Sequence, residues 1–232
     1  MYKNKKISVV IPCYNEGKTI GVILKNMPDF IDETIVIDNN STDKTSEIVR
    51  KFKNVLLEKE SIQGYGATIK KGIIKSQGEI VAIMDGDNQH LIKDIMRLID
   101  FLIEEKQDFI WGSRFPIKIG EATFSRIFGN KVQTILFNFL FKTKIKDSQS
   151  GMVIFRREKL FSNININALS NGMAFSEEIK VNVIFSGLKW NEKKINIKKR
   201  KGTSKLNPIY DGIKNISKLF KLYYELKIRK NC

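Results

Sequence analysis

Two acidic side chains close an apolar run in the stretch AIMDGDNQH, residues 82–90. Asp85 and Asp87 lie two positions apart around Gly86, and Gln89 follows. Carboxylates at this spacing can present oxygens to one hard cation, because Mg²⁺ or Mn²⁺ accepts one or two carboxylates and completes its shell with water or phosphate. A cation held in this way neutralises a diphosphate leaving group. The alternative for an isolated pair is a solvated turn, since Asp and Gly dominate turns.

Alternating apolar and amphipathic segments surround this pair. Apolar runs bounded by turn residues predict strands at 7–12, 34–38, 54–58, 79–85 and 109–113. Apolar residues at helical spacing predict helices at 17–27, 43–52, 66–76 and 91–105. This order predicts an α/β fold, with a mostly parallel central sheet whose strands are covered by helices on both faces.

Polar residues follow four of the five predicted strands. They are Asn15 and Glu16, then Asp38, Asn39 and Asn40, then Asp85 and Asp87, and finally Ser113 and Arg114. Ligands of parallel sheets bind at the carboxyl ends of the strands, where the loops diverge. The four clusters therefore predict one site at one rim of the sheet.

Composition limits the class of protein. A chain of 232 residues with a formal charge of +16 suits one globular domain that attracts nucleic acid, an anionic membrane or phosphorylated molecules. The two cysteines, Cys13 and Cys232, have no CxxC spacing, which favours a reducing cytoplasm over a disulfide framework. The single histidine, His90, excludes a histidine-based metal cage. No apolar run approaches the ~20 residues that span a bilayer, so we expect no integral membrane protein.

Eight segments in a fixed order carry a family resemblance. They are VVIPCYNE (9–16), VIDNNSTDKT (36–45), GYGATIKKGI (64–73), MDGDNQH (84–90), GSRF (112–115), DSQSGMVIFRRE (147–158), FSEEIKVNVIFSGLKW (175–190) and RKGTSKL (200–206). Together they span nearly the whole chain. The sequence resembles the family 2 glycosyltransferases, which have the nucleotide-sugar-binding GT-A fold. The similarity is greatest to the branch of dolichyl-phosphate mannose synthase and related polyprenyl-phosphate hexose synthases.

The resemblance implies a donor site on the first, second and fourth strands. It places the nucleoside of a nucleotide sugar against Pro12, Tyr14, Glu16, Asp38 and Asp85, and it assigns the metal to Asp85, Asp87 and Gln89. For Asp38 the alternative is a turn or helix cap, although Ser41 to Asp43 can supply that cap. Asn39 stands where the family usually has an acid, so the identity of the nucleotide base that is bound stays open.

The resemblance also implies contacts with phosphate. It gives Arg114, Arg200 and Lys205 to the donor diphosphate or the acceptor phosphate, and arginine suits this role through its planar fork. Ordinary surface charge is the alternative, most of all for Arg200 within KKRK. Gly64 and Gly66 open a predicted helix with little bulk, so that backbone amides can approach a ligand, or they form a tight turn.

On the acceptor side, the resemblance points to Glu178 rather than Glu177. The expected role of Glu178 is that of a base or of a group that orients the acceptor, while Asp87 supports catalysis through the metal. The alternative for both glutamates is the favourable position of an acid in the first turn of a helix. Asp147, Ser150 and Gly151 complete the acceptor side by resemblance only.

Two basic and apolar segments indicate a membrane surface. Residues 124–141 are dense in Phe, Ile and Leu, and residues 207–230 place apolar residues at helical spacing among lysines. We expect a glycosyltransferase domain at 1–206 and a basic amphipathic helix at 207–232. That helix either lies in the headgroups of an anionic membrane or packs on its own domain or a partner chain.

The sequence thus predicts a metal-dependent, inverting glycosyltransferase, peripheral at the cytoplasmic face of the membrane and helped there by its own helices or a membrane partner protein. It moves mannose or glucose from a GDP- or UDP-sugar to polyprenyl or dolichyl phosphate. A soluble or envelope-polysaccharide acceptor is the nearest alternative. A sugar nucleotidyltransferase is disfavoured, because this sequence lacks the glycine- and arginine-rich loop expected of that class. Nucleic-acid binding is disfavoured, because the aromatic residues cluster with aliphatic ones and no recognition motif is present.

Overall fold

The computed structural model describes residues 1–117, 124–198 and 208–231. The described strands are β1 (Ile7–Cys13), β2 (Glu33–Asp38), β3 (Val55–Lys59), β4 (Ile80–Ile83), β5 (Phe109–Ser113), β6 (Val153–Arg156) and β7 (Trp190–Lys194). The described helices are α1 (Ile20–Lys25), α2 (Thr45–Val49), α3 (Tyr65–Lys75), α4 (Ile92–Glu104), α5 (Phe124–Phe141), α6 (Arg157–Asn163), α7 (Phe175–Phe185) and α8 (Pro208–Asn231), with a 3₁₀ turn at Ile166–Ala168.

The strands form one sheet in the order β3-β2-β1-β4-β6-β5-β7. Neighbours among β1 to β4 pair in parallel, β6 is antiparallel to β4 and β5, and β7 is parallel to β5. Every strand but β6 therefore points the same way, and their carboxyl ends share one rim. The predicted mostly parallel sheet is confirmed.

Apolar layers cover both faces of the sheet. On one face, Ile23 of α1 and Leu98 of α4 belong to the same buried cluster as alternate residues of β1 and β4. On the other face, Ile73 of α3 and Ile179 of α7 pack with Val10 and its neighbours. The alternation along each strand sends successive side chains to opposite layers, which is why the central strands read as continuous apolar runs.

The third strand differs from the prediction. We expected it to be covered on both faces, but within the described part of the chain β3 pairs only with β2, and it is partly exposed, with 41% of Leu56 accessible. It is an edge strand, and an edge needs less cover than the centre of a sheet. The predicted helices 17–27 and 43–52 are shorter in the structure, because the residues before α1 and α2 form turns at the rim.

Helices α5 and α8 pack together beside the sheet. Phe137 and Phe141 of α5 are buried against Val181 of α7 and Leu219 of α8. Among the described helices, none combines the length and the hydropathy needed to cross a bilayer. The outer side of α5 carries exposed apolar residues at helical spacing, namely Phe128, Val132, Ile135 and Phe139. We call these four residues the α5 stripe.

Candidate functional site

The DGD turn is fastened to β1 and to the start of α1. A Cβ on Gly86 would lie 2.7 Å from Cys13 Sγ, so only glycine allows the turn to approach β1 this closely. Thr19, just before α1, donates its hydroxyl to the carbonyl of Gly86 at 2.7 Å. The backbone N–H of Asp85 points to Nδ1 of the buried His90 at 3.4 Å. The turn has one defined position at the rim.

Both acids of the turn accept hydrogen bonds from neutral groups. Tyr65, the first residue of α3, donates its hydroxyl to Asp85 Oδ1 at 3.2 Å. Asp87 is buried, and its Oδ1 accepts the backbone N–H of Gln89 at 3.0 Å. The side-chain amide of Gln89 donates to the carbonyl of Lys198 at 3.3 Å. These hydrogen bonds fix the direction of both carboxylates without supplying a countercharge.

Burial and the neighbouring charge keep the Tyr65 hydroxyl protonated. Burial of the hydroxyl, followed by the charge of Asp85 and the hydrogen bond to it, holds the pKa of Tyr65 well above its usual value. The hydroxyl is therefore a donor at any physiological pH.

These residues fit a divalent cation that arrives with a phosphate. The donor atoms of the turn are carboxylate oxygens, which Mg²⁺ and Mn²⁺ prefer. Within the described residues, no group of three or more His, Cys, Asp and Glu side chains forms a metal site of its own. Two carboxylates are what Mg²⁺ uses when substrate phosphate supplies further oxygens. The arrangement suits a metal-diphosphate better than a permanently bound metal.

Side-chain hydrogen bonds join the loops after β1 and β2. Asn15 N–H donates to Ser41 Oγ at 2.9 Å, and Asn15 Oδ1 accepts the N–H of Thr42 at 2.7 Å. Asn15 and Asn40 both have positive φ, at 55° and 59°, which asparagine tolerates better than most residues. Both residues therefore have a left-handed backbone. These hydrogen bonds keep both strand ends beside the DGD turn.

Four of the five residues expected at the nucleoside lie along this corner of the rim, and the fifth is Asp85 of the DGD turn. Tyr14 is exposed, Glu16 is half-buried, and Pro12 is buried within β1 at a point where the pairing with β4 has ended. Asp38 is buried and accepts the N–H of Ser41 at 2.9 Å and the hydroxyl of Ser46. The nucleoside role of Asp38 stays a prediction, with its carboxylate already holding the turn into α2.

The departure at Asn39 has a structural reason. Its amide nitrogen donates to the carbonyls of Glu60 and Ile62 at 2.9 and 2.8 Å, and its oxygen accepts the N–H of Gly64 at 2.7 Å. An ionised aspartate offers acceptors only and cannot make the first two bonds. Asn39 therefore ties the loop before α3 to the end of β2.

The glycines that open α3 do not form a phosphate loop in this structure. The first amides of the helix, Gly66 and Ala67, donate to the carbonyls of Gly172 and Asn171 at 3.2 and 3.0 Å. A Cβ on Gly66 would lie 2.2 Å from the carbonyl oxygen of Ser170. Gly64 has φ 148°, which other residues rarely adopt. Of the two alternatives for these glycines, the structure favours the tight turn, because the loop before α7 occupies the amides of Gly66 and Ala67.

Arg114 is held by a buried aspartate. Its Nε and Nη2 donate to the two carboxylate oxygens of Asp147 at 2.8 and 2.9 Å. Burial by itself would raise the pKa of Asp147, but the charge and hydrogen bonds of Arg114 outweigh it and lower the pKa to about 2. Burial likewise opposes the charge of Arg114, yet Asp147 raises the pKa of the guanidinium. The pair fixes the direction of the Arg114 fork, and its remaining N–H groups can meet a phosphate.

Behind this pair lies a buried group of charges that sequence reasoning missed. Lys180 on α7 is buried, donates to the backbone carbonyl of Asp147 and lies 5.5 Å from the centre of the Trp111 ring. Burial lowers the pKa of Lys180, while Asp147 and Glu192 oppose that shift. The carboxylate of Glu192 accepts the N–H groups of Lys146 and Asp147 at 2.5 and 3.3 Å. The loop that carries Asp147 is thereby anchored to α7 and β7.

Glu177 and Glu178 occupy different environments although they are adjacent. Glu177 is buried, accepts a hydrogen bond from Gln149, and has an Oε2 without a hydrogen-bond partner. Burial raises the pKa of Glu177 to about 8, against the charge of Lys180 and the bond from Gln149. At neutral pH it is therefore mostly protonated.

Glu178 makes contacts that hold the chain together. Its carboxylate accepts the N–H and the hydroxyl of Ser170 at 2.5 and 2.8 Å and lies 3.2 Å from Lys218 Nζ on α8. These contacts fasten the loop before α7 and the last helix. The role of Glu178 as a base or acceptor-orienting group stays a prediction.

The structure brings Asp85, Asp87 and Arg114 to one rim, as predicted. The charge of Arg114 opposes the rise in the pKa of Tyr65, and the charge of Asp85 raises the pKa of Arg114. Arg200 and Lys205 lie outside the described residues. The missed residues had one visible signal: Lys180 stands between the apolar residues Ile179 and Val181, and a lysine is rarely buried.

Comparison with known proteins agrees with this geometry. The glycosyl transferase family 2 model matches residues 8–161. A dolichyl-phosphate hexose transferase of Haloferax volcanii is 28% identical over 233 residues, covering 98% of each chain. A UDP-N-acetylglucosamine–dolichyl-phosphate N-acetylglucosaminyltransferase of Methanococcus voltae is 26% identical over 180 residues, covering 68% of this chain and 72% of the relative.

A solved structure shares the fold. The chain superposes on glucosyl-3-phosphoglycerate synthase of Mycobacterium tuberculosis, crystallised with Mn²⁺, UDP-glucose and phosphoglyceric acid, with a TM-score of 0.73. The identity is 18%, over 95% of this chain and 80% of that one. With the family model covering most of the chain and the acids and arginine at the expected rim, the protein is a glycosyltransferase with a GT-A fold and belongs to glycosyl transferase family 2.

Proposed function

We propose that this glycosyltransferase transfers a hexose from a nucleotide sugar to a polyprenyl or dolichyl phosphate, with Mg²⁺ or Mn²⁺. The observation that carries the proposal is the meeting of Asp85, Asp87 and Arg114 at one rim in a chain similar over its whole length to a dolichyl-phosphate hexose transferase. In this reaction an acceptor phosphate oxygen bonds to the anomeric carbon while the bond to the nucleoside diphosphate breaks, which inverts that carbon.

The residues at the rim have different roles in this reaction. Asp85 and Asp87 would hold the metal, and the bound metal would neutralise the diphosphate leaving group. Arg114, aimed by Asp147, would contact a phosphate of the donor or acceptor. The acceptor phosphate is largely ionised at neutral pH, so it needs little deprotonation, and the protein contributes mainly by positioning.

We place the acceptor side at the inner surface of a membrane, on a surface formed by the α5 stripe. Its apolar side chains are exposed, and the exposed Lys131, Lys142 and Lys144 lie on the same segment. Each basic residue near an anionic leaflet contributes about 1 kcal/mol. The net charge of +16 supports an anionic lipid surface as the partner. A lipid-linked acceptor would then be presented where the enzyme docks.

Donor binding is tested by calorimetry with UDP- and GDP-hexoses, with and without Mn²⁺. We expect one nucleotide to bind only with metal, since the two carboxylates need phosphate oxygens to complete the shell. Asp29→Asn, at an exposed position, is the control for Asp87→Asn. Metal-dependent transfer of labelled hexose to polyprenyl phosphate in vesicles tests the acceptor, and transfer to soluble glycans alone would overturn it.

Membrane docking is tested by a matched pair of variants. Ile135→Ser removes a residue of the α5 stripe that is 59% exposed, while Ile74→Ser removes one that is 49% exposed on α3. We expect Ile135→Ser to weaken co-sedimentation with anionic vesicles about tenfold, since burying an isoleucine contributes roughly 1.5–3 kcal/mol. Equal binding of the two variants would exclude the α5 stripe as the docking surface.

A further inference from the structure

The carboxylate of Asp85 lies between two other elements. On one side the Tyr65 hydroxyl of α3 reaches Oδ1 at 3.2 Å. On the other, a Cβ on Gly151 would lie 2.6 Å from Oδ2 and 2.8 Å from the Tyr65 oxygen. The Asp85 side chain thus has one hydrogen-bonded orientation and little room to leave it.

Tyr65 is itself held in place. The amides that follow it, Gly66 and Ala67, are bonded to the loop before α7, and Ser176 at the start of α7 is a further neighbour of its hydroxyl. The ring packs at the edge of the core between the sheet and α3. A rigid donor of this kind can hold a carboxylate in the geometry a ligand needs before the ligand arrives.

We propose that Tyr65 is a positioning residue, which orients Asp85 for the metal-diphosphate of the donor while Gly151 leaves space for that carboxylate. The inference rests on the proposed donor site. Residues that orient a metal-binding carboxylate typically change metal affinity 10–100-fold when they are removed. Tyr65 therefore acts through Asp85 and touches no reacting atom.

The test is Tyr65→Phe, which removes the hydroxyl and keeps the ring. Tyr2→Phe is the matched control, because Tyr2 donates its hydroxyl to Asp100 Oδ1 at 2.8 Å far from the rim. Calorimetry with Mn²⁺ and the nucleoside diphosphate that the wild-type protein binds should show about tenfold weaker binding for Tyr65→Phe and unchanged binding for Tyr2→Phe. In transfer assays KM for the donor should rise about tenfold, with kcat at saturation within about twofold.

A second comparison shows whether Tyr65 acts through Asp85. In an Asp85→Asn background, Tyr65→Phe should cause no further loss of binding, because an orienting residue has no effect once its target is changed. A full additional loss would show that Tyr65 contacts the ligand directly and would overturn the inference. Binding equal to that of the wild type in Tyr65→Phe would also overturn it.

Gly151→Ala tests the fit of the Asp85–Tyr65 pair against Gly151 while both side chains stay in the protein. The added methyl should displace the Asp85 carboxylate and weaken Mn²⁺-dependent nucleotide binding at least tenfold, with thermal unfolding used to confirm a native fold. Unchanged binding would contradict the proposed fit. If the wild-type protein binds no nucleotide with metal, the proposed function fails; if it binds and these variants bind equally well, only the positioning role fails.

Discussion

The aspartates in the two halves of the rim have different hydrogen-bond partners. At the ends of β2 and β4, Asp38, Asp85 and Asp87 accept hydrogen bonds from backbone N–H or hydroxyl groups. At the end of β5, Asp147 is paired with the guanidinium of Arg114. Neutral donors orient a carboxylate and leave its charge in place, whereas an ion pair cancels the charge and orients the cation.

The difference matches two kinds of ligand. Carboxylates that backbone and hydroxyl donors orient suit a cation, and an arginine fixed by a buried acid presents its remaining donors to a phosphate. The same residue type, aspartate, therefore serves opposite purposes on the two halves. The predictions below change one half at a time.

The largest effect is expected from Asp87→Asn, which removes one charge from the half of the rim at the ends of β2 and β4. Transfer should fall at least about 10³-fold, since charge stabilisation of this kind is among the larger contributions to catalysis. Binding of Mn²⁺ with nucleotide should be lost, and the thermal unfolding curve should show a native fold. Wild-type turnover in Asp87→Asn would remove Asp87 from the site.

Asp147→Asn changes the paired half, and both stability and activity should fall. Removing one partner of a buried pair costs about 3 kcal/mol or more, because it leaves the other charge uncompensated. Transfer should fall about 10²-fold as Arg114 loses its orientation. Urea unfolding and initial rates measure the two effects.

The control for Asp147→Asn is Glu47→Gln, since Glu47 faces Lys51 at 3.7 Å on an exposed helix surface. That change should cost well under 1 kcal/mol. Equal destabilisation by the two variants would show that the Arg114 pair is not special.

Glu177→Gln tests the buried protonated acid behind the paired half. Its pKa is near 4.5 when unfolded and about 8 when folded, so the folded state holds an extra proton between these values and stability falls as pH rises. The variant has no proton to lose there. At pH 8 it should be more stable than the wild type by about 4 kcal/mol, with almost no difference near pH 4.

Thermal unfolding between pH 4 and 8.5 measures this slope. Glu79→Gln is the control: the hydrogen bond from Lys5 lowers the pKa of Glu79, so Glu79 stays ionised above pH 5 and the variant should keep the wild-type slope. A wild-type slope in Glu177→Gln as well would disprove the raised pKa of Glu177.

The smallest effect is expected from Lys218→Ala, which breaks the contact of α8 with Glu178. The lysine is 37% exposed, so the pair contributes about 1 kcal/mol or less. The unfolding midpoint should fall by no more than about 2–4 °C. A larger fall would show that α8 is held mainly by this contact rather than by Leu219 and its apolar neighbours.

Much of the fold followed from residue patterns. The first five strands and four helices were predicted close to their observed positions, because buried strands and amphipathic helices have distinct apolar periods. Strands β6 and β7 were not predicted. The first has only four residues, and the second, WNEKK, is a polar strand that pairs, among the described strands, with β5 alone. Such short or polar strands form because a neighbouring strand offers hydrogen bonds, which a single sequence does not reveal.

The site was predicted unevenly. The acids of the DGD turn and Arg114 were placed at one rim because parallel strands share the direction of their carboxyl ends. The sequence left two alternatives open for the glycines of α3, because their small size serves the packing of residues 170–172, which are distant in sequence. Tyr65, Lys180 and Glu177 were missed as rim partners for the same reason.

The sequence by itself determined the α/β class, the family and the residue types at the rim, since these depend on local periodicity and on motifs in order. Only the tertiary structure decided what each charged group faces. Asp85 meets Tyr65, Asp147 meets Arg114, and Glu177 is buried while Glu178 reaches Lys218. Charge and pKa depend on burial and on partners a few ångströms away, and folding brings those partners from anywhere in the chain.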